Sequence, residues 1–448
     1  MPLAVGWLLN GVYALLLSAV APVLLYRRIR LGKYRGGWNE KLTGRLVRRH
    51  PQKRCLWFHA VSVGEVLQLQ KVLDETAARF PDAELVVTTT TDTGYDVARN
   101  KYPQHTVSWF PLDFTWAVAR ALKSIRPDLV VMVELELWPN FVFACQRQQV
   151  PLALINGRIG EKSFRGYQRV RPLIRRVLRC FQFLGVQNEV YGQRLAELGA
   201  IAENVMVTGN IKFDRVESDR QNSRTAELRS AFGIMPHEQV FIAGSTQAPE
   251  EMYALDAWCQ LRAEFPNLRL ILVPRHKERF EEVAELVHQR GVPLLRRSRL
   301  QEEAQQQLNT GPAGAMPPVL LLDTLGELAA CWGLADIAFV GGSLTNRGGQ
   351  NMLEPAGYGA AVLFGPNTWN FKDITESLLS RHAAQVVRDA GELSGAVRDL
   401  LRQPAIAQEM ATSARKFVAE QQGATARTVD RLAALFDNAL PQATERAA

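Results

Sequence analysis

The side chains best placed to do chemistry fall just after apolar runs. His59-Ala60-Val61-Ser62-Val63-Gly64-Glu65 closes one such run and leads into apolar residues at helical spacing: Val66, Leu69, Val72 and Leu73. Gly64 permits a tight strand-to-helix turn. Glu65 then stands at the helix start, where a carboxylate can take a proton from a hydroxyl. It can equally do no more than complement the helix dipole, worth about 0.3–1 kcal/mol, and position alone leaves both readings open. Glu134-Leu135-Glu136-Leu137-Trp138-Pro139-Asn140 sets two carboxylates two residues apart at a strand end. They share a face if the strand continues and part company if it ends between them. With no D-x-D motif and no accompanying His, they make a poor metal pair, and no metal is expected. Lys212, in the run Gly209–Asp214, is a lone basic residue of the kind that is ordinarily solvated.

The second half carries a different constellation. Residues 341–355, GGSLTNRGGQNMLEP, follow the apolar run DIAFVGG. Gly348 and Gly349 let backbone approach a ligand, Asn351 can cap the helix that follows, and Pro355 is tolerable only in its first turn. Exposed N–H groups at such a helix start suit phosphate, and Glu354 can accept from two ribose hydroxyls. No Gly-Lys-Ser/Thr follows the glycines, so this is not a Walker loop. Pro274-Arg275-His276 ends another strand, where an Arg can fork onto phosphate or stack on a base, or make a surface ion pair. Asp323-Thr324-Leu325-Gly326-Glu327 ends a later one.

The elements that must position these residues alternate. Apolar runs at 55–61, 84–90, 128–134, 150–156, 181–187 and 204–209 read as strands covered on both faces. Helix-length segments at 66–80, 115–125, 138–148, 166–180 and 188–199 separate them. The pattern restarts after the polar linker Glu217–Thr225 with strands at 239–245, 268–274, 292–297, 318–323, 336–342 and 360–365. Arg299 to Pro317 reads as a polar surface excursion, and 389–438 as a closing helix-rich stretch. Strands alternating with helices imply right-handed βαβ units and parallel sheets. Two doubly wound domains in tandem predict a ligand cleft between them, at the carboxyl ends of the strands. The two halves share no obvious sequence repeat.

Composition narrows the class. At 448 residues, two domains are the default expectation. The 53 Lys+Arg against 45 Asp+Glu give +8, which suits an anionic partner. No basic helix or aromatic-basic module supports nucleic acid. Cys55, Cys145, Cys180, Cys259 and Cys331 are scattered and odd in number, which excludes a disulfide framework and fits a reducing compartment. From Leu3 to Tyr26 the chain is uncharged, with Asn10 as its one strongly polar residue; a helix of that length can cross roughly 30 Å of hydrocarbon. Arg27, Arg28, Arg30, Lys33 and Arg35 follow and no basic side chain precedes it, which puts the body on the cytoplasmic side. A signal peptide would carry its charge first. An interfacial or re-entrant helix is the alternative, encouraged by Pro22 and Asn10. The basic cluster would also hold anionic lipid headgroups. The sheet domains are expected to start near Cys55 and to need nothing upstream for their cores.

Taken in order, HAVSVGE, TTTTDTG (88–94), ELELWPN, GNIKFD, AGST (243–246), PRH, DTLGEL and GGQNMLEP resemble the Kdo (3-deoxy-D-manno-octulosonate) transferase family over nearly the whole chain. The resemblance implies a GT-B type α/β fold, with two Rossmann-like domains facing across a cleft and an N-terminal membrane anchor helix. It implies domains at 1–30 (anchor and basic flank), 31–216 (acceptor) and 217–448 (donor). It further implies an inverting transfer of Kdo from CMP-Kdo to the 6′-hydroxyl of a lipid A precursor, on the bacterial inner membrane and without metal or cofactor. Glu65 matches the family's proposed general base. Glu134 and Lys212 match groups thought to support the transition state. Pro274, Arg275, Leu325, Gly326, Glu327, Asn351, Met352, Leu353 and Glu354 match the CMP-binding segments. Three departures stand out: Gln350 in place of a usual His, Ala248-Pro249 in place of Glu-Gly, and Gly157 in place of Ala. The competing readings are another membrane-associated GT-B nucleotide-sugar transferase, a nucleotide-sugar epimerase, and an inactive scaffold.

Overall fold

A computed structural model describes residues 3–31, 36–300 and 317–439. Lys33 and Arg35 of the basic flank, and residues 301–316 of the expected polar excursion, lie outside the described residues.

The chain divides into two compact units: residues up to Arg215 together with those from Gln422 onward, and Val216–Gln421. In the first, seven strands pair in parallel: β1 (Cys55–His59), β2 (Glu84–Thr89), β3 (Thr106–Trp109), β4 (Leu129–Val133), β5 (Leu152–Gly157), β6 (Phe183–Val186) and β7 (Val205–Val207). Their order is β3-β2-β1-β4-β5-β6-β7, which reverses direction between β1 and β4. In the second unit β8 (Gln239–Thr246), β9 (Leu268–Pro274), β10 (Leu294–Arg296), β11 (Val319–Leu321), β12 (Ile337–Val340), β13 (Ala361–Phe364) and β14 (Ala384–Val386) form another all-parallel sheet. Its order is β10-β11-β9-β8-β12-β13-β14, with the reversal between β8 and β12. Ligands of open α/β sheets bind at the carboxyl ends beside such a reversal. Each unit therefore has one crevice where chemistry belongs.

The strands expected from the sequence are present, and two were missed. β3 and β14 both lie at sheet edges, where one side has no partner, and both mix buried with half-buried or exposed residues. Their sequences, TVSW and AQV, lack the continuous apolar run that marks a strand buried on both faces.

The helices of the first unit that matter below are α1 (Leu3–Leu31), α2 (Trp38–Thr43), α3 (Val63–Gln68), α4 (Gln70–Arg79), α5 (Asp92–Lys101), α6 (Thr115–Ile125) and α7 (Pro139–Arg147). The expectation that nothing upstream of Cys55 serves the core is corrected. Leu46 packs in the core under α6 and α7. The buried Arg48 guanidinium meets Glu84 at 2.9 Å and donates to the Ile125 carbonyl, while Glu84 also accepts from Arg49 N, His50 N and Thr106 Oγ1. Those hydrogen bonds hold the Glu84 carboxyl below its ordinary range despite burial.

The assignment of all residues after 217 to the second domain is corrected too. The last helix, Ala424–Asn438, packs on α4 of the first unit, and Ala424, Val429, Leu432 and Phe436 join the core beneath β1 and β2. Asp214 caps it, accepting from Gly423 N at 2.6 Å and from Thr425 N. Phe436 lies edge-on to Phe80 at 4.8 Å, with the Arg54 guanidinium 3.8 Å above its ring. Its apolar stripe looked like any closing helix; only packing reveals which sheet it covers.

Phe436→Ala should cost the first unit about 3 kcal/mol or more. Hydrogen exchange should accelerate in β1 and β2 and stay unchanged in β8 and β9; the reverse pattern would reassign the helix.

Candidate active site

In the first unit the turn after β1 is built by Ser62 and Glu65. Ser62 is the N-cap of α3, and its Oγ accepts from Glu65 N at 3.3 Å while donating to Glu65 Oε1 at 2.7 Å. Glu65 Oε2 accepts from Val61 N at 2.8 Å. The Ser–Glu pair resembles a capping box, except that the glutamate reaches the N–H of the residue before the N-cap, so Glu65 does serve the helix start. Each carboxylate oxygen has one protein donor and keeps a lone pair for a further proton or donor. Gly64 sits inside α3 with room for a side-chain carbon, so the turn does not depend on it; the cap makes the turn. His59 is fully buried, stacked on Phe110 at 3.6 Å with Nδ1 against the Thr88 carbonyl. Burial pushes it down to about 3, so it is neutral and structural.

Glu65 is one of a group. β4, on the other side of the reversal, ends at Val133, and Glu134 adopts φ +57, a left-handed conformation costing a non-glycine residue on the order of 1–3 kcal/mol. The strand thus ends before Glu136, yet both carboxylates stay near Glu65. Burial and then the Glu65 charge raise Glu134, while Lys212 and Arg158 pull it back. Burial, Glu65 and Glu134 push Glu136 up to about 7. Three half-buried or buried carboxylates therefore share one crevice with Lys212 and Arg158. Among the described residues no three His, Cys, Asp or Glu side chains are disposed to hold a metal ion.

The loop carrying Lys212 is held by amide side chains at the ends of β5 and β6. Asn156, at φ +54, donates to Gln68 Oε1 at 3.0 Å and accepts from Ile211 N at 3.3 Å. Gln187 donates to the Asn156 carbonyl and accepts from Asn210, whose side-chain oxygen accepts from Lys212 N at 3.0 Å. Glu136, Arg158 and Asn156 were not among the expected site residues. The Asn-x-Arg segment at the end of β5 was a visible signal for the last two.

In the second unit the counterpart turn follows β8. Ser245 takes φ +54, Ala248-Pro249 is cis, and Glu250 opens the helix Glu250–Leu261. Glu250 is fully buried. One oxygen accepts from Gly342 N (2.7 Å) and Gln247 N (2.9 Å), the other from Ser343 N (3.0 Å) and Leu344 N (2.9 Å). Burial raises its carboxyl and the four N–H donors oppose that. A side chain at Gly341 would strike Thr246 Cα at 2.5 Å, so close approach of the two strand ends requires glycine there. The amides just after β12, at residues 342–344, are taken by a carboxylate of the chain itself.

The expected nucleotide residues distribute as follows. Gly348 and Gly349 both have positive φ, and Gly349 N donates to the Gly342 carbonyl, folding the loop back on itself. The helix Leu353–Tyr358 has Met352 as its N-cap; Asn351, one residue earlier, accepts from Leu353 N at 3.2 Å and donates to Glu354 Oε1 at 2.9 Å. Met352 and Leu353 are buried in the core, so only their backbone is available to a ligand. Pro274 is buried at the end of β9; Arg275 is exposed and its N–H bonds the Thr246 carbonyl, which ties it to β8. Leu325 is exposed, Gly326 has φ +87, and Glu327 pairs with Arg297 at 2.8 Å and accepts from Thr324. Sequence reasoning missed Glu250, although a Glu at a helix start after a strand was its signal.

Two tandem doubly wound parallel sheets, each with its polar turn at the reversal of strand order, define an α/β protein of the GT-B class. The UDP-GlcNAc 2-epimerase from Neisseria meningitidis bound to UDP-GlcNAc aligns with TM-score 0.53 at 12% identity, covering 85% of this chain and 100% of that one, a likeness of fold alone. Residues 36–215 match the family described as 3-Deoxy-D-manno-octulosonic-acid transferase (kdotransferase). A 3-deoxy-D-manno-octulosonic acid transferase of Bordetella pertussis is 32% identical over 439 residues, 94% of this chain and 98% of the relative. One from Haemophilus influenzae is 31% identical over 386 residues, 85% of this chain and 87% of the relative. The chain belongs to the 3-deoxy-D-manno-octulosonic acid (Kdo) transferase family.

Glu250→Ala strands up to four buried N–H groups and should cost on the order of 3 kcal/mol. Exchange of the Gly342, Ser343 and Leu344 amides should rise before global unfolding; unchanged protection would mean Glu250 does not hold the loop.

The raised Glu136 sets a pH dependence. Its carboxyl moves from the ordinary 4.5 to about 7 on folding, so the folded state binds the proton more tightly. Stability present below about 4.5 is lost as pH rises through 7. Glu136→Gln removes that loss: its melting temperature should match the parent near pH 4.5 and exceed it at pH 8. Equal melting temperatures at both pH values would place Glu136 outside the carboxylate group.

Proposed function

We propose that the chain transfers Kdo from CMP-Kdo to a lipid A precursor in lipopolysaccharide synthesis, with inversion at the anomeric carbon and at the cytoplasmic face of a bacterial inner membrane. The observation that carries the reading is membership of the Kdo transferase family over nearly the whole chain, together with a carboxylate at the first reversal that keeps free lone pairs. The first unit takes the acceptor and the second the donor. An acceptor hydroxyl oxygen forms the new bond to the anomeric carbon as the bond from that carbon to the CMP phosphate oxygen breaks. CMP leaves as a phosphomonoester and the hydroxyl proton passes to Glu65.

The Ser62 and Val61 donors fix the Glu65 rotamer, so the base is preorganised at no entropic cost during reaction. Glu134 and Lys212 balance charge beside it: the anomeric centre gains positive character, which a carboxylate favours, and the leaving phosphate gains negative charge, which a lysine favours. Arg275, Glu327, Asn351 and Glu354 hold CMP, with Pro274, Gly326 and the backbone of Leu325, Met352 and Leu353 shaping the site. The uncharged stretch Leu3–Tyr26 of α1 and the exposed Arg27, Arg28 and Arg30 at its end support attachment to anionic lipid.

Incubation with CMP-Kdo and a tetra-acylated lipid A precursor should add the mass of one or more Kdo residues. Glu65→Gln should cut that turnover by at least ~10²-fold with CMP affinity unchanged by calorimetry. Near-normal turnover in the variant would remove Glu65 as base and turn attention to Glu134. A product with no added Kdo, while another nucleotide sugar is consumed, would overturn the donor.

A further inference from the structure

The polar residue in the middle of the apolar helix α1 has a structural task. Asn10 is buried against the first unit. Its side chain donates to Thr115 Oγ1 at 2.7 Å and accepts from Thr115 N at 3.1 Å and Asn140 Nδ2 at 3.2 Å. α6 begins at Thr115, and its own N-cap residue, Phe114, has no side chain able to accept from the helix N–H groups. Asn10 thus caps α6 from a distant part of the chain. One turn later Tyr13 donates to Asp113 at 3.0 Å, the carboxylate that caps α7 by accepting from Asn140 N and Phe141 N. Gly6, Asn10, Tyr13 and Leu17 follow helical spacing and form the inner face, whereas Trp7, Leu8, Leu15, Leu16 and Val20 on the outside are exposed.

This docking constrains how the helix can meet a bilayer. If the apolar stretch crossed with its basic end at the headgroups, Asn10 would sit about 25 Å from Arg27 along the axis, near the far side of a hydrocarbon layer roughly 30 Å thick. Thr115, Asp113 and Asn140 would have to accompany it, and with them the exposed Arg120. A folded α/β unit cannot enter hydrocarbon. The chain also returns to the same unit after the helix, at Gly36 and Lys41 beside Trp109.

We propose that α1 is a monotopic helix, lying against the first unit with its outer apolar face in a single leaflet and both of its ends on the same side of the membrane. This deepens the membrane attachment proposed above and rests on it. The surface beside the docking point fits the same occupant, an anionic lipid leaflet. Trp116 is half exposed, stacks on Phe114 at 4.6 Å and donates to the Leu42 carbonyl. Leu42 and Val47 are exposed beside it, and Arg45 and Arg120 supply positive charge. Amphipathic tryptophan flanked by arginine is the composition of a membrane–water interface.

Two measurements on the full chain in native membranes test this. An epitope tag at the amino end should resist protease in intact spheroplasts and be cut after lysis. An Asn10→Cys, Thr115→Cys pair should cross-link on mild oxidation, read by mass spectrometry of the joined peptides. A tag cut in intact spheroplasts overturns the topology, and absence of the cross-link overturns the docking. Recovery of the protein in the soluble fraction would overturn the attachment as well.

Discussion

A glutamate folded back onto backbone N–H groups at the first strand-to-helix turn is the interaction on which each unit's site depends. After β1, Glu65 accepts from Val61 N and Ser62 Oγ; after β8, Glu250 accepts from Gln247 N and from three amides following β12. The parallel sheet creates the need. Where strand order reverses, neighbouring chains leave in opposite directions, and the backbone donors at their ends have no ladder partner. A carboxylate supplies several acceptors from one side chain, so a single residue can close such a gap.

The two glutamates are used differently because their surroundings differ. Glu250 is enclosed and all its acceptor capacity faces backbone, so it is a strut that sets the path of residues 342–344. Glu65 has one donor per oxygen and lies near Glu134 and Glu136, with Lys212 beside Glu134. That group is strained as well as charged: Glu134 and Asn156 both take left-handed backbone at strand ends, and the amide network through Gln68, Gln187 and Asn210 secures the loop of Lys212. Conformational cost concentrated beside buried charge is characteristic of preorganised sites.

The first unit is closed by segments from both ends of the chain. Arg48 and Glu84 tie the approach to β1 onto β2, Asp214 caps the final helix, and Asn10 caps α6. In each case a polar side chain satisfies donors or acceptors that local structure leaves open. Such long-range caps fix where otherwise ordinary apolar helices dock, because the apolar stripe alone is compatible with several positions.

The sequence by itself determined the two doubly wound sheets, since strands buried on both faces must be continuously apolar and helices between them must be amphipathic. It also determined the family, whose motifs sit at strand ends, and it placed Glu65, Arg275, Asn351 and Glu354 at the starts of turns or helices. Edge strands β3 and β14 escaped it because an edge demands less apolar sequence. Tertiary structure alone decided that Glu136 joins Glu65 and Glu134, and that Glu250 takes the backbone amides of residues 342–344. It alone assigned Ala424–Asn438 to the first unit and Asn10 to α6. The physical reason is the same throughout. Periodicity reports which face of an element is buried, whereas a hydrogen bond between residues about a hundred apart depends on where the folded chain brings them.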